Sequence, residues 1–291
     1  MLRLLTSLAG VAAFACCLSP SSLPAQTGGP GDSSRIFNTV KQKLAQGRQV
    51  VGGSVSIPDP ETYCAMANAG FDYLWIEMQH SPLTYQDVAH MIGACKGAPA
   101  IPFIRVPDAS EGDIQKATDI GALGIIIPLV DSVDKIKAAI QFAKYPPTGK
   151  RSQGGGQYGT LWGRDYRKHA NDNMMMVAMI ESPAGVDIAN EVAALPGVDV
   201  IFAASTDLSS FSGLEQGDPK YEALVARIRD ATLKHGKSLG GPLAWKERPG
   251  FSFFQAPGET SLIRAGAAAA LGKPAGEGPR RGIAPTEGAE R

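Results

Sequence analysis

A closed barrel of eight parallel strands, each followed by a helix, is the fold that the sequence predicts. Three observations indicate it. Segments typical of strands alternate with segments typical of helices from residue 50 to residue 271. The strand-like segments are nearly continuous apolar runs, as burial on both faces of a parallel sheet requires. Eight such segments fall within about 250 residues, which favours a (β/α)8 TIM barrel over an open doubly wound sheet.

The elements follow one another in strict alternation after a short first helix that contains Phe37, Val40 and Leu44. The predicted strands cover residues 50–57, 71–77, 100–106, 124–129, 176–181, 198–203, 238–242 and 251–256. The predicted helices cover residues 60–69, 85–96, 111–120, 133–144, 185–195, 221–235 and 259–271. Only the connection between the last two strands, residues 243–250, is too short for a normal helix.

The N-terminus has the features of a secretory signal. Arg3 precedes an uncharged apolar stretch at residues 4–18, which is short for a bilayer span, and small residues near Ala25 offer a cleavage site. We therefore expect residues 1–25 to be a signal peptide, with an uncleaved anchor as the alternative. This predicts a periplasmic or secreted protein with no stable membrane insertion after the signal is removed.

The remaining chain divides by its apolar content. Residues 26–34 and 272–291 carry too little apolar surface to bury, so we expect a flexible lead and a disordered tail. Residues 35–271 form the predicted barrel domain. The 28 basic and 28 acidic residues balance and no basic stripe is present, which argues against a nucleic-acid partner.

Two cysteines remain after the predicted signal is removed. Cys64 and Cys95 lie on predicted helices that would be neighbours, and an oxidising compartment permits a bond between them. Two buried free thiols are the expected state, with the bond as the alternative.

Two acidic residues follow neighbouring predicted strands. Glu181 ends the fifth predicted strand, and Asp207 follows the sixth. Because parallel strands joined by a helix end on the same side, these carboxylates are expected side by side at one rim. Carboxylates held close repel unless a cation or proton lies between them, which indicates a divalent metal. The alternative is that each acid caps the helix after its strand.

Other polar residues mark the ends of the second and third strands. Glu77 precedes His80 by three residues, and such a pair can orient an imidazole and raise its basicity. Arg105 ends the third strand, where a guanidinium suits a developing oxyanion. The alternatives are a structural histidine and an ion pair between the arginine and a neighbouring loop.

One long connection breaks the regular pattern. Residues 145–173 are rich in glycine and polar residues and separate the fourth and fifth strands. We expect this segment at the rim where loops carry function. No glycine-rich phosphate loop of the nucleotide-binding type follows any predicted strand.

Six segments in order carry a family resemblance between Ile36 and Leu271. They are GFDYLWIEMQHSP (70–82), PFIRVP (102–107), DIGALGIIIPLV (119–130), YPPTGKRSQGGG (145–156), MIESPAGV (179–186) and GVDVIFAASTDLS (197–209). As a set they resemble the HpcH/HpaI aldolase family, the metal-dependent pyruvate aldolases of the 2-dehydro-3-deoxyglucarate and 4-hydroxy-2-oxo-acid type.

The resemblance implies an oligomeric barrel that uses Mg²⁺ or Mn²⁺, with Co²⁺ as a further candidate. It implies Glu181 and Asp207 as metal ligands and His80 as the acid/base, with Glu77 as its partner. It also implies that Arg105 stabilises an enolate. Two further implications are that Asp119 supports the basicity of the histidine and that Ala204, Ser205, Thr206 and Met179 contact the substrate.

The chain departs from the family pattern at several of these positions. Glu77 stands where the family usually has aspartate, Gln79 where it has glutamate, and Met179 where it has glutamine. The expected function is a metal-dependent class II aldolase that cleaves or forms a 4-hydroxy-2-oxo acid, with a 2-oxo acid and an aldehyde as small-molecule partners. The alternatives are a non-catalytic metal and 2-oxo-acid binder and a related lyase acting on an acyl-CoA ester.

Overall fold

The computed structural model describes residues 35–273. The predicted signal peptide, the flexible lead and all but the first two residues of the predicted tail lie outside this range. Eight parallel strands close into a barrel, in which each strand pairs with the next and the eighth pairs with the first. The prediction of a (β/α)8 barrel is confirmed.

The strands match the predicted ones to within a few residues. They are β1 (Val50–Val55), β2 (Tyr73–Glu77), β3 (Ile101–Arg105), β4 (Gly124–Ile127), β5 (Met175–Ile180), β6 (Val200–Ala203), β7 (Ser238–Pro242) and β8 (Phe251–Gly258). A single 3-10 turn, Leu243–Trp245, replaces a helix between β7 and β8, as the short connection predicted.

Eleven α-helices lie within residues 35–273. These helices are α1 (Thr39–Ala45), α2 (Pro60–Ala67), α3 (Tyr85–Ala94), α4 (Glu111–Asp119), α5 (Val133–Ala143), α6 (Tyr158–Trp162), α7 (Tyr166–Asn173), α8 (Pro183–Ala194), α9 (Ser205–Ser212), α10 (Pro219–Lys234) and α11 (Glu259–Ala270). Three of them, α6, α7 and α9, were not predicted. Among the helices of this described part, none combines the length and apolar character needed to cross a bilayer.

The helix starts follow from short polar side chains. Asp59, Thr84, Ser110 and Ser182 each cap a helix by accepting a backbone N–H from its first turn. Such caps satisfy amides that have no partner inside the helix and typically contribute about 1 kcal/mol each. The crossover helices therefore begin immediately after the loops that leave the strand ends.

The barrel interior is filled mainly by aromatic side chains. Tyr73, Trp75, Phe103, Phe202 and Phe253 are all buried there in one cluster. Neighbouring strands make room for them with glycine: a β-carbon at position 52 would lie 2.1 Å from the Tyr73 ring, and one at position 124 would lie 2.1 Å from the Phe103 ring. The interior is a packed core, so any chemistry must occur at a rim.

The prediction that residues 145–173 lie at the functional rim is wrong. The segment follows helix α5 and precedes β5, so it lies where strands begin. Its Trp162 Nε1 donates to the carbonyl of Gly121, just before β4, at 3.0 Å. The prediction assumed that the segment follows the C-terminal end of the fourth strand. Helix α5 comes first, however, and returns the chain to the N-terminal end of the barrel before the segment begins.

The expectation of two free thiols is also wrong. Cys64 in α2 and Cys95 at the C-terminal end of α3 form a disulfide, with their Cα atoms 5.3 Å apart. Helices α2 and α3 pack side by side, which brings the two residues within the normal Cα separation for a disulfide.

Candidate active site

The polar residues implicated by the sequence come from the ends of β2 and β3 and from the ends of β5 and β6. Glu77 is the last residue of β2 and pairs in register with Arg105, the last residue of β3. Glu181 follows β5 directly, and Asp207 lies in the first turn of α9, which follows β6. Since the strands are parallel, all four residues lie at the C-terminal rim, where barrel enzymes carry their active sites.

Glu181 is a buried carboxylate with an unsatisfied oxygen. Only 1% of the residue is exposed, and its Oε1 has no hydrogen-bond partner. Burial, reinforced by the nearby Asp207 carboxylate, raises the pKa of Glu181 from 4.5 to about 7. Arg105 and the backbone N–H of Leu129 act in the opposite direction. The rim therefore holds more negative charge than its own cations neutralise.

The alternative that these two acids serve as helix caps is wrong. Ser182 caps α8, because its hydroxyl accepts the Gly185 backbone N–H at 3.1 Å. Helix α9 starts at the N-cap residue Ala204 and has no side-chain cap, while Asp207 is its third residue. Neither carboxylate is occupied by a capping role, so both remain for another partner.

A divalent cation fits this pair of acids. Glu181 has an oxygen without a hydrogen bond, and burial and the Asp207 charge both disfavour its ionised form, so a cation beside the two acids would stabilise them. Residues 35–273 contain no cluster of three or more His, Cys, Asp or Glu side chains suited to a metal. A cation here would therefore have two carboxylate ligands and take its other oxygens from water or substrate, as Mg²⁺ commonly does.

Arg105 is held beside the two acids. Its Nε and Nη2 lie 2.6 and 2.5 Å from Oε2 of Glu77, and its Nη1 lies 3.9 Å from the Met179 sulfur. The guanidinium also lies over the Trp75 ring, 5.7 Å from its centroid. The ion pair that the sequence left open as an alternative is present, but its acid comes from the adjacent strand.

The structure does not form the predicted Glu77–His80 dyad. Glu77 Oε1 accepts the backbone N–H groups of Gln79 and His80, at 2.9 and 3.0 Å, while the His80 side chain is exposed. The prediction failed because the glutamate carboxylate folds back onto the turn and reaches Arg105. Three-residue spacing does not determine which atom of the histidine residue is bound.

The structure does not bring Asp119 to this rim within the chain. Asp119 ends α4, and crossover helices run opposite to the strands, so it lies at the N-terminal end of the barrel. Its carboxylate pairs with Nη2 of Arg151 at 2.9 Å and accepts from Gln115 at 2.7 Å. The sequence motif singled out Asp119 but did not indicate that it lies at the C-terminal end of α4, and therefore at the N-terminal end of the barrel.

The four residues implicated in substrate contact lie together at the ends of β5 and β6. Ala204 begins α9, and no side chain caps the amides of Ser205 and Thr206 that follow it. Helix N-termini attract anions because several N–H groups there point away from the helix. Met179 lies two residues before Glu181 on the interior face of β5, buried against Arg105.

Several contributors were missed from the sequence. Trp75 donates its indole N–H to Glu77 Oε2 at 3.2 Å, and the backbone N–H of Leu129 lowers the pKa of Glu181. Leu129 adopts a positive φ of 49°, which is rare for leucine and has no sequence signal. Gln79 Oε1 is buried without a partner.

Two grooves lie near opposite ends of the barrel. One of about 600 Å³ runs along the ends of β1, β7 and β8 and is lined by residues that include Ser54 and Gly258. The larger, about 820 Å³, lies at the N-terminal end beside Lys41 and Lys144. None of the site residues described above lines either groove, so groove size does not mark the active site.

Fold and site together define a barrel enzyme that works at its C-terminal rim. Residues 56–243 match the family model described as HpcH/HpaI aldolase/citrate lyase. The chain belongs to this family, which confirms the predicted resemblance and the predicted class, a lyase of the aldolase type. Divalent-metal dependence is typical of the family.

Relatives agree with this assignment. A hydroxypyruvate/pyruvate aldolase of Chromohalobacter salexigens is 34% identical over 211 residues, which cover 68% of this chain and 83% of the relative. A 2-keto-3-deoxy-L-rhamnonate aldolase of Escherichia coli is 30% identical over 214 residues, covering 70% and 79%. The crystal structure of an HpcH/HpaI aldolase/citrate lyase family protein from Burkholderia cenocepacia J2315 superposes with a TM-score of 0.74 at 28% identity, covering 81% of this chain and 98% of that one.

Proposed function

We propose that this protein is a metal-dependent class II aldolase that cleaves or forms a 4-hydroxy-2-oxo acid through a pyruvate enolate. The observation that carries the proposal is the buried, unsatisfied Glu181 carboxylate beside Asp207 and Arg105. The name of the Chromohalobacter relative, hydroxypyruvate/pyruvate aldolase, supports a 2-oxo acid as the substrate.

Glu181 and Asp207 would hold the cation, with Mg²⁺ or Mn²⁺ as the proposed ions and Co²⁺ as a further candidate. When bound, such an ion supplies positive charge that polarises the 2-oxo group of the substrate. The two carboxylates would neutralise the ion, and Glu181 is buried, so its negative charge is little screened by water.

Arg105 and the start of α9 would orient the substrate. The uncapped amides of Ser205 and Thr206 donate to the substrate carboxylate, as helix N-termini do for anions. Arg105 Nη1, which is not engaged by Glu77, donates to the oxygen on which enolate charge develops. Met179 packs beside this guanidinium.

His80 would move the proton. In the cleavage direction the imidazole takes the proton of the 4-hydroxyl, the bond between C3 and C4 breaks, and its electron pair forms the enolate. The aldehyde leaves, and the enolate then takes a proton at C3 to give pyruvate. His80 lies in the turn after β2, and its side chain is exposed at the C-terminal rim.

One observation favours a second candidate, a protein that binds a cation and a 2-oxo acid without catalysis: no carboxylate among residues 35–273 hydrogen-bonds to the His80 imidazole. Exchange of the pyruvate methyl protons in deuterated buffer with Mn²⁺ separates the two functions. The aldolase exchanges them, and the exchange is lost in His80→Ala. If pyruvate binds but its methyl protons do not exchange, the protein is a non-catalytic binder and not an aldolase.

We also propose that the protein is exported. The Cys64–Cys95 disulfide supports this, because such bonds persist mainly in oxidising compartments, and residues 1–25 have the composition of a signal. Sequencing the N-terminus of the protein recovered from the periplasm or medium tests it. We expect the mature chain to begin near Gln26, and a cytoplasmic chain that begins at Met1 would contradict export.

We propose that the protein forms a homo-oligomer, as family members often do. The exposed apolar side chains of Ile263 and Leu271, which are 61% and 66% exposed, support a further contact at α11. Sedimentation equilibrium would give a mass of at least two chains, whereas a single-chain mass at micromolar concentration would contradict the proposal.

A further inference from the structure

The Glu77 carboxylate is saturated with hydrogen-bond donors. Its Oε2 accepts Nε and Nη2 of Arg105 and the indole N–H of Trp75. Its Oε1 accepts the backbone N–H groups of Gln79 and His80. Five donors on one largely buried carboxylate leave no lone pair directed at the His80 ring.

These contacts determine the orientation of Arg105. A guanidinium is planar and rigid, so once two of its nitrogens are bound the direction of the third follows. Nη1 then points toward Met179 on β5, the strand that leads to Glu181. Glu77 thus directs the one Arg105 nitrogen that it does not bind toward the end of β5.

The same carboxylate also holds the turn after β2. By accepting two successive backbone N–H groups, Oε1 holds the turn that carries His80. The longer glutamate side chain allows one oxygen to face the turn while the other faces Arg105. Glu77 therefore links the acid/base turn to the guanidinium through one rigid group.

We propose that Glu77 is a positioning residue that acts through Arg105 and not a partner of the His80 imidazole. The inference rests on the proposed function, since it assigns Glu77 a part in that reaction. In this account the carboxylate of Glu77 pairs with Arg105 and does not interact with the His80 ring.

A double-mutant cycle tests which group Glu77 acts through. Glu77→Gln keeps the shape but offers only one acceptor oxygen, so it cannot serve both Arg105 and the turn. We expect it to lower kcat/KM for aldol cleavage roughly 10- to 100-fold, as misplacement of a catalytic group does. The loss should shrink to about twofold in an Arg105→Gln background, because the effects of residues that act as a unit are not additive.

The pH profile separates positioning from general loss of structure. If Glu77 oriented the imidazole, removing its charge would move the acidic limb of kcat/KM to lower pH, since the carboxylate stabilises the imidazolium. We expect the limb to stay in place while the plateau falls. A moved limb, or a full effect of Glu77→Gln in Arg105→Gln, overturns the proposal.

A carboxylate at the other end of the same strand provides the matched control. Asp72 accepts the Val51 backbone N–H at 2.7 Å and pairs with Lys43, so Asp72→Asn also removes one buried acid that binds a cation and an amide. We expect it to lower Tm like Glu77→Gln but to leave kcat/KM unchanged within twofold. Equal losses of kcat/KM in both variants would reduce Glu77 to a structural role.

A readout without activity distinguishes failure of this inference from failure of the proposed function. The ¹⁵N resonance of Arg105 Nε–H, assigned by its loss in Arg105→Lys, should be protected from solvent exchange in the wild type and in His80→Ala. It should lose that protection in Glu77→Gln. If Nε–H is protected but the protein has no aldol or exchange activity, the proposed aldolase function is wrong and the ion pair still stands. If Nε–H is equally protected in Glu77→Gln, the positioning role is wrong.

Discussion

Acidic residues have opposite roles at the two ends of the barrel. At the N-terminal end, three carboxylates that precede strands are each paired with a basic side chain: Asp72 with Lys43, Asp119 with Arg151 and Asp199 with Lys41. Two of them also accept a backbone N–H from the adjacent strand, from Val51 and Met176 respectively. These acids stabilise the N-terminal end of the barrel.

At the C-terminal rim the acids exceed the cations. Arg105 is committed to Glu77, which leaves Glu181 and Asp207 with no basic partner among residues 35–273. The buried Oε1 of Glu181 has no hydrogen bond at all. The acids at one end are therefore paired within the chain, whereas those at the other end have the charge imbalance that the proposed cation site requires.

The largest expected effect comes from breaking the rim pair. Glu181→Gln keeps the side-chain volume but removes one cation ligand, so we expect kcat/KM for aldol cleavage to fall on the order of 10³-fold, in the range of lost transition-state charge stabilisation. The matched change at the other end, Asp72→Asn, should leave kcat/KM unchanged. Steady-state kinetics at saturating Mn²⁺ measure both, and an active Glu181→Gln would contradict the ligand role.

The pH dependence of stability sharpens the comparison. The unfolded chain ionises Glu181 near pH 4.5 and the folded chain near pH 7, so the folded state binds the extra proton between these values. Stability should therefore fall as pH rises through this window, by about 3 kcal/mol from this group, and change no further above it.

Urea unfolding at pH 4.5 and pH 8, without divalent metal, measures this effect in the wild type and in Glu181→Gln. The difference in unfolding free energy between the two proteins isolates the group, because other titrating side chains are common to both. We expect the variant to be the more stable protein at pH 8. A difference that does not change with pH would show that Glu181 is neither buried nor crowded by Asp207.

The smallest expected effect concerns the residue next to Glu181. Ser182 accepts the Gly185 amide and donates to Asp131 at 2.6 Å, so Ser182→Ala removes the cap of α8. We expect a loss of about 1 kcal/mol in unfolding free energy, with metal-dependent activity retained. Loss of metal binding in this variant would mean that capping and ligand roles are not separate at this strand end.

Much of the fold could be predicted because burial on both faces makes each strand a continuous apolar run. The rim assignment of Glu181, Asp207 and Arg105 followed from parallel strands alone, since every strand must end on the same side. The unpredicted helices lie where that signal is weak: α6 and α7 occupy a polar, glycine-rich segment, and α9 is short.

The errors share one physical origin, which is that sequence spacing does not specify direction. Residues 145–173 were assigned to the wrong end because a crossover helix reverses the chain before they begin. Glu77 was assigned to the ring of His80, although its extra methylene lets it bind the backbone and Arg105 instead. The positive φ of Leu129 has no sequence signature at all.

Direct titration of Mn²⁺ at pH 8 tests the central claim, that the C-terminal rim lacks a charge which the N-terminal end already has. Calorimetry on the wild type should give one site per chain, which is lost in Glu181→Gln and in Asp207→Asn and unchanged in Asp72→Asn. Undiminished Mn²⁺ binding in both rim variants would contradict the claim, because the cation would then bind elsewhere on the chain.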